Sequence, residues 1–278
     1  MIQRSIAFIG GGNMARSIIG GLIAGGWPQD KFWVADPDPA QRQLLLAQHP
    51  ALHATEDNVQ AAKKAAILLM AVKPQVLQSV AQALSATVQA YKPLIVSIAA
   101  GIRVADLERW LGGELAVVRC MPNTPALVQA AATGLYANKH VTCEQRTIAE
   151  AILGAVGITV WVEDERQLDA VTALSGSGPA YFLLVMEAME RSGIELGLTP
   201  EIARRLTLQT AFGTAKLALD SRDDAATLRA RVTSKGGTTE RAIAELESGE
   251  LRRLFACALA AAAHRAQELA DQFAERSS

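Results

Sequence analysis

Ser5-Ile6-Ala7-Phe8-Ile9-Gly10-Gly11-Gly12-Asn13-Met14-Ala15 passes from a short apolar run through three glycines into a helical repeat that sets Met14, Ile18 and Leu22 on one face. The pattern predicts a strand, a tight turn and a helix. Its spacing fits G-x-G-x-x-A, in which Gly10 makes the turn, Gly12 lets the backbone approach a pyrophosphate, and Ala15 is small where helix and strand must pack closely. Phe32-Trp33-Val34-Ala35-Asp36 then reads as a second strand ending in an acid. That acid falls at about the ~20-residue distance at which dinucleotide-binding folds place a ribose-reading carboxylate.

Further apolar runs follow at Ile67 to Val72, Leu94 to Ile98 and Ala116 to Cys120, with Gly134 to Tyr136 and Ile158 to Val162 extending the set around a helix at Glu144 to Leu153. Continuous apolar runs point to strands buried on both faces, hence to a parallel sheet covered by helices. After Glu163 strand runs cease and helical patterns take over: Gln167 to Leu174, Ala180 to Leu196, Glu201 to Leu219, Ala225 to Val232, Thr239 to Ser248 and Leu251 to Phe273. The expected fold class is α/β, with an N-terminal Rossmann-type parallel-sheet domain (residues 1–163) followed by an all-α domain (residues 164–278). Tyr181 to Met186 and Phe255 to Ala263 are apolar around the whole helix, which requires cover on all sides. A helical domain of this size cannot supply that cover alone, so a second copy is expected to.

Composition narrows the function classes. The chain has 278 residues, 50% apolar and 20% charged, with a formal net charge of −1, so a substantial core is available and disorder is not expected. Without a lysine or arginine run, nucleic acid is not an expected partner. The longest apolar runs fall short of the ~20 residues of a membrane span, and the chain enters its first strand without a leader pattern. A cytoplasmic protein is expected. Cys120, Cys143 and Cys257 are scattered, and His49, His53, His140 and His264 show no metal-ligand spacing, so neither a metal site nor a histidine-based acid–base pair is expected.

Near the other end, Thr233-Ser234-Lys235-Gly236-Gly237-Thr238-Thr239-Glu240 opens a helical pattern. A serine, two glycines and paired threonines at a helix start bring hydroxyls, backbone N–H groups and the positive end of the helix dipole to one place, a fit for a small carboxylate. The alternative is an ordinary helix start capped by Thr238 or Thr239. In open parallel sheets ligands bind beyond the carboxyl ends of the strands, where this chain carries Val72-Lys73-Pro74, Ala99-Ala100-Gly101 and Met121-Pro122-Asn123-Thr124-Pro125.

These segments, with Ser175-Gly176-Ser177-Gly178-Pro179-Ala180-Tyr181 and Arg231 to Glu240, resemble in order and content the Δ1-pyrroline-5-carboxylate reductase family over nearly the whole chain. Two positions depart from it: Lys235 stands where proline is common, and Asp36 where a smaller or uncharged residue is frequent. The resemblance implies reduction of a cyclic imine to proline with NADPH or NADH. Ile9, Gly10, Gly11, Gly12, Asn13, Met14, Asp36, Asn58, Ala71, Val72, Lys73, Pro74, Ala99, Ala100 and Gly101 would line the cofactor. Ser234 with the backbone N–H groups of Gly237, Thr238 and Thr239 would hold the substrate carboxylate, and Thr239 would donate a hydrogen bond to the imine nitrogen. It further implies a homodimer with interleaved helical domains, sometimes assembled into decamers. Asp36 favours NADH on charge grounds, whereas the family often favours NADPH and Arg42 is placed to reach a phosphate. A 6-phosphogluconate-type β-hydroxyacid dehydrogenase is expected to carry a lysine on its first long helix after the sheet. Here no lysine precedes Lys216 in the helical half.

Overall fold

The computed structural model describes residues 4–275; Met1 to Gln3, where the chain start was read for a leader, lie outside them. Eight strands form one sheet: β1 (Ile6–Ile9), β2 (Phe32–Ala35), β3 (His53–Thr55), β4 (Ile67–Met70), β5 (Leu94–Ser97), β6 (Val117–Met121), β7 (Ala131–Ala137) and β8 (Gly157–Trp161), in the order β3-β2-β1-β4-β5-β6-β7-β8. Helices α1 (Asn13–Ala24), α2 (Pro39–Gln48), α3 (Asn58–Ala62), α4 (Pro74–Tyr91), α5 (Val104–Leu111) and α6 (Cys143–Gly154) accompany the sheet. The apolar runs are strands because both faces are covered: β1, β4 and β5 are buried at every residue. One face packs Phe8, Phe32 and Leu69 with Ile18, Ile19 and Leu22 of α1. The other packs Ile9, Leu68 and Met70 with Leu77 and Leu84 of α4.

Two features of the sheet differ from the sequence expectation. β3 is added, a strand whose His53-Ala54-Thr55 has no apolar run to announce it. β7 pairs antiparallel to β6, because the short link through the 3₁₀ turn Thr124–Val128 is too brief for the crossover that a parallel pair needs. The α6 crossover then lets β8 return parallel to β7.

Helices α7 (Gln167–Val171), α8 (Gly178–Glu195), α9 (Pro200–Asp220), α10 (Ala225–Arg231), α11 (Thr238–Ser248) and α12 (Leu251–Glu275) complete the chain. The compact units do not divide at residues 163/164. One runs through Ser177 and takes in the chain from Ala261 onward, and the other is Gly178–Ala260. The reason is packing: Leu168 is fully buried and Val171 lies against Gly134 of β7, while Ala266 and Ala270 of α12 are buried in the same unit.

A second correction concerns helix length. The sequence shows separate helical patterns at Gln167 to Leu174 and Ala180 to Leu196; in the structure the π-helical turn Thr172–Gly176 follows α7 and α8 starts at Gly178, with Pro179 in the first turn of α8 where no intrahelical N–H is needed. The 29-residue run Gln167–Glu195 is thereby long and apolar enough, by length and composition, to cross a membrane. The Gly178–Ala260 unit buries only Gly178, Ala203 and Thr207. Phe182, Leu183, Leu184, Leu206 and Phe212 stand exposed on it.

Candidate active site

The glycine turn is built against its neighbours. Gly10 has φ +100°, donates its N–H to the Ala35 carbonyl at 2.8 Å, and lies so close to Ala71 that a Cβ would stand 2.8 Å from the Ala71 carbonyl oxygen. Ala71 in turn donates its N–H to Ile9 at 2.8 Å. Gly12, the N-cap of α1, has no side-chain cap, and a Cβ there would meet nothing within 4 Å. An uncapped helix start beneath open space suits an anion such as a pyrophosphate. Asn13 and Met14 form its first turn, where Asn13 Oδ1 accepts from Arg16.

Asp36 follows β2 and has a bracing function that sequence alone does not show. Its Oδ2 accepts the Gly11 N–H at 2.7 Å and its Oδ1 the Asp38 N–H at 2.9 Å, so one carboxylate ties the glycine turn to the turn after β2. Arg42 bends back to donate to the carbonyls of Asp36 at 2.6 Å and Pro37 at 3.0 Å. Asn58 opens α3 after its Asp57 cap. Lys73 is the exposed N-cap of α4, with Pro74 in the first turn and no side-chain cap. Beyond β5, Ala99 is buried, Ala100 is exposed and Gly101 has φ +74°.

Thus Ile9 to Met14, Asp36, Ala71 and Val72 come together at the carboxyl ends of β1, β2 and β4, while Asn58, Lys73–Pro74 and Ala99–Gly101 follow the ends of β3, β4 and β5.

Ser234, Gly237, Thr238 and Thr239 belong to the other compact unit. Gly237, not a threonine, is the N-cap of α11, and no side chain caps that end. Thr238 and Thr239 are therefore the first two helical residues rather than caps. The Gly237 N–H closes a turn on the Ser234 carbonyl at 3.0 Å, so the amides left for an anion are those of Thr238 and Thr239. Gly237 contributes space: a Cβ would approach Ser234 Oγ to 2.8 Å. Glu240 Oε2 accepts the Gly236 N–H at 2.7 Å, which holds the loop in place.

Asn123, from one of the segments singled out beyond the strand ends, and two residues outside the sequence expectation, Arg119 and Glu165, brace the sheet unit. Asn123 accepts the Ala132 N–H at 3.0 Å and donates to the Ser175 carbonyl at 3.0 Å, linking the β6–β7 connection to the π-helical turn. Arg119, buried in β6, pairs with Glu165 at 2.9 Å. Its signal in sequence is an arginine inside an otherwise apolar strand run. Nearby, burial raises the Asp169 carboxyl above its ordinary value, and in the core burial pushes the Cys120 thiol up, which makes it inert.

The chain is 51% identical over 272 residues to a pyrroline-5-carboxylate reductase of Pseudomonas aeruginosa, covering 97% of this chain and 98% of that protein. It belongs to the pyrroline-5-carboxylate reductase family. Residues 165–269 match the family model for pyrroline-5-carboxylate reductase dimerisation, and residues 5–101 match the model for coenzyme F420-dependent NADP oxidoreductases. A solved pyrroline-5-carboxylate reductase from Coxiella burnetii superposes with a TM-score of 0.92 at 45% identity, over 96% of this chain and 98% of that one. The Plasmodium falciparum pyrroline carboxylate reductase, solved with NADP bound, superposes with a TM-score of 0.85 at 26% identity, over 97% and 99%.

Proposed function

We propose that this protein reduces the cyclic imine Δ1-pyrroline-5-carboxylate to L-proline with NADPH or NADH. The observation that carries the reading is identity to family members over almost the full chain, and the relative solved with NADP supports the cofactor class. When bound, the reduced nicotinamide supplies a hydride to the ring carbon of the C=N bond. The open helix start at Gly12 holds the pyrophosphate, and Ala71 to Pro74 and Ala99 to Gly101 flank the nicotinamide end. Ser234 and the amides of Thr238 and Thr239 hold the carboxylate and so choose which ring face is presented. The Thr239 hydroxyl donates to the imine nitrogen and favours its protonated form. No strong acid is needed, because orientation and electrostatics supply most of the rate gain. Loss of NAD(P)H absorbance with pyrroline-5-carboxylate, set against hydroxyacids assayed in the oxidative direction, tests the reaction. Turnover of hydroxyacids alone would overturn it.

The active form is a homo-oligomer, at least a dimer, and decamers are an extension of it. The support is the match to a dimerisation model and the near absence of a core in Gly178–Ala260. On this reading a second copy, rather than lipid or nucleic acid, covers Phe182, Leu183 and Leu184. Sedimentation at assay concentration is expected to show no active species near 29.5 kDa. Cytoplasmic residence belongs to the same reading and is supported by the free thiols of Cys120, Cys143 and Cys257.

A further inference from the structure

Helix α5 begins directly after the loop that carries Ala99-Ala100-Gly101, and none of its own side chains caps it. Its first N–H, on Val104, is instead accepted at 2.8 Å by Glu165 Oε1, 61 residues further along the chain. The same oxygen accepts from the buried Arg119 guanidinium at 2.9 Å. A carboxylate at a helix N-terminus satisfies an orphan donor and complements the helix dipole. Held by Arg119, it also becomes a fixed post to which the end of the loop is tied. On its other side the loop meets α12: Gly101 lies against Phe273, and Arg103 pairs with Asp271 at 2.6 Å. Beside the Arg119–Glu165 pair is a cavity of about 740 Å³, lined also by Arg103, Asp169 and His264.

We propose that Glu165 is a positioning residue for hydride transfer: through Val104 it fixes the Ala99–Gly101 loop against which the nicotinamide ring lies, without touching cofactor or substrate. The proposal rests on the reading of Ala99–Gly101 as part of the nicotinamide site. It predicts an effect confined to one end of the cofactor, because on the same reading the pyrophosphate is held at Gly12, the N-cap of α1 after a different strand.

The test compares NAD(P)H with ADP-ribose, which has the pyrophosphate but no nicotinamide, by calorimetry on the full-length protein. The double variant Arg119→Met/Glu165→Leu removes both charges together, so neither is left buried and unpaired. It is expected to weaken NAD(P)H binding by roughly tenfold and to lower kcat by roughly tenfold, while ADP-ribose affinity stays within about twofold, since small misplacement of a reacting ring has large kinetic effects. Glu165→Gln keeps an oxygen for the Val104 N–H and is expected to restore most of the NAD(P)H affinity. If the double variant does not fold, Arg119→Gln/Glu165→Ser, with a serine too short to reach Val104 and no charge left unpaired, gives the same comparison. Equal losses for both ligands, or a folded variant with unchanged NAD(P)H affinity and kcat, would overturn the proposal. Failure of the wild-type protein to bind NAD(P)H would instead defeat the functional reading itself.

Discussion

Gly10 and Ala71 stand so close that no side chain fits between them: a Cβ on Gly10 would lie 2.8 Å from the Ala71 carbonyl oxygen, at a φ of +100°. They follow paired strands, with Ile9 opposite Met70, so neither backbone can yield without disturbing the sheet. Gly12 is the contrast, with φ −68° and nothing within 4 Å of its would-be Cβ.

The two glycines should therefore fail differently. Gly10→Ala combines left-handed strain with overpacking and is expected to cost about 2–5 kcal/mol of stability. Gly12→Ala should melt like the parent yet bind NAD(P)H and ADP-ribose much more weakly. Denaturant melts and calorimetry on both variants separate the effects. Undiminished affinity in Gly12→Ala would remove the pyrophosphate from that position.

Asp36 is expected to have two separable effects. Asp36→Ser removes the carboxylate that disfavours a 2′-phosphate, so the ratio of kcat/KM should move toward NADPH. It also strands the Gly11 and Asp38 N–H groups bonded to the carboxylate, which should lower stability by about 1–3 kcal/mol. Asp36→Asn keeps an acceptor oxygen and should recover part of the stability. An unchanged cofactor ratio in a folded Asp36→Ser protein would leave bracing as the sole function of Asp36.

Thr239 lies inside the first turn of α11 and is not its cap, so its hydroxyl is dispensable for the helix. Thr239→Val is expected to lower kcat by roughly 10²-fold with little change in cofactor affinity or melting temperature. Thr239→Ser should retain much of the activity. Wild-type turnover in the valine variant would exclude the donor function.

Thiol chemistry offers a check on the core. Cys120 is buried, whereas Cys143 is exposed. A thiol reagent should modify Cys143 in the folded protein and reach Cys120 only on unfolding, as peptide mapping after labelling would show. Rapid modification of Cys120 under native conditions would contradict the packing of β6.

What the sequence by itself determined is local. The apolar runs of β1, β4 and β5, the glycine turn after Ile9 and the presence of a helix from about Thr239 each rest on side-chain period and residue type within a few neighbours, and each was legible there; that Gly237 rather than a threonine is its N-cap was not. Only the tertiary structure decided the features that depend on a distant partner. His53-Ala54-Thr55 is a strand because β2 supplies its ladder. Gln167 to Leu174 packs with the sheet rather than with the helical unit because Gly134 leaves room for Val171. Asp36 became a brace only once Gly11 was beside it, and the Gly237 amide is taken up within the chain only because the turn closes on the Ser234 carbonyl. Glu165 carries no local pattern at all. Its position is set by hydrogen bonds to Val104 and Arg119, 61 and 46 residues away, and a hydrogen bond acts over distance in space, which short sequence patterns do not encode.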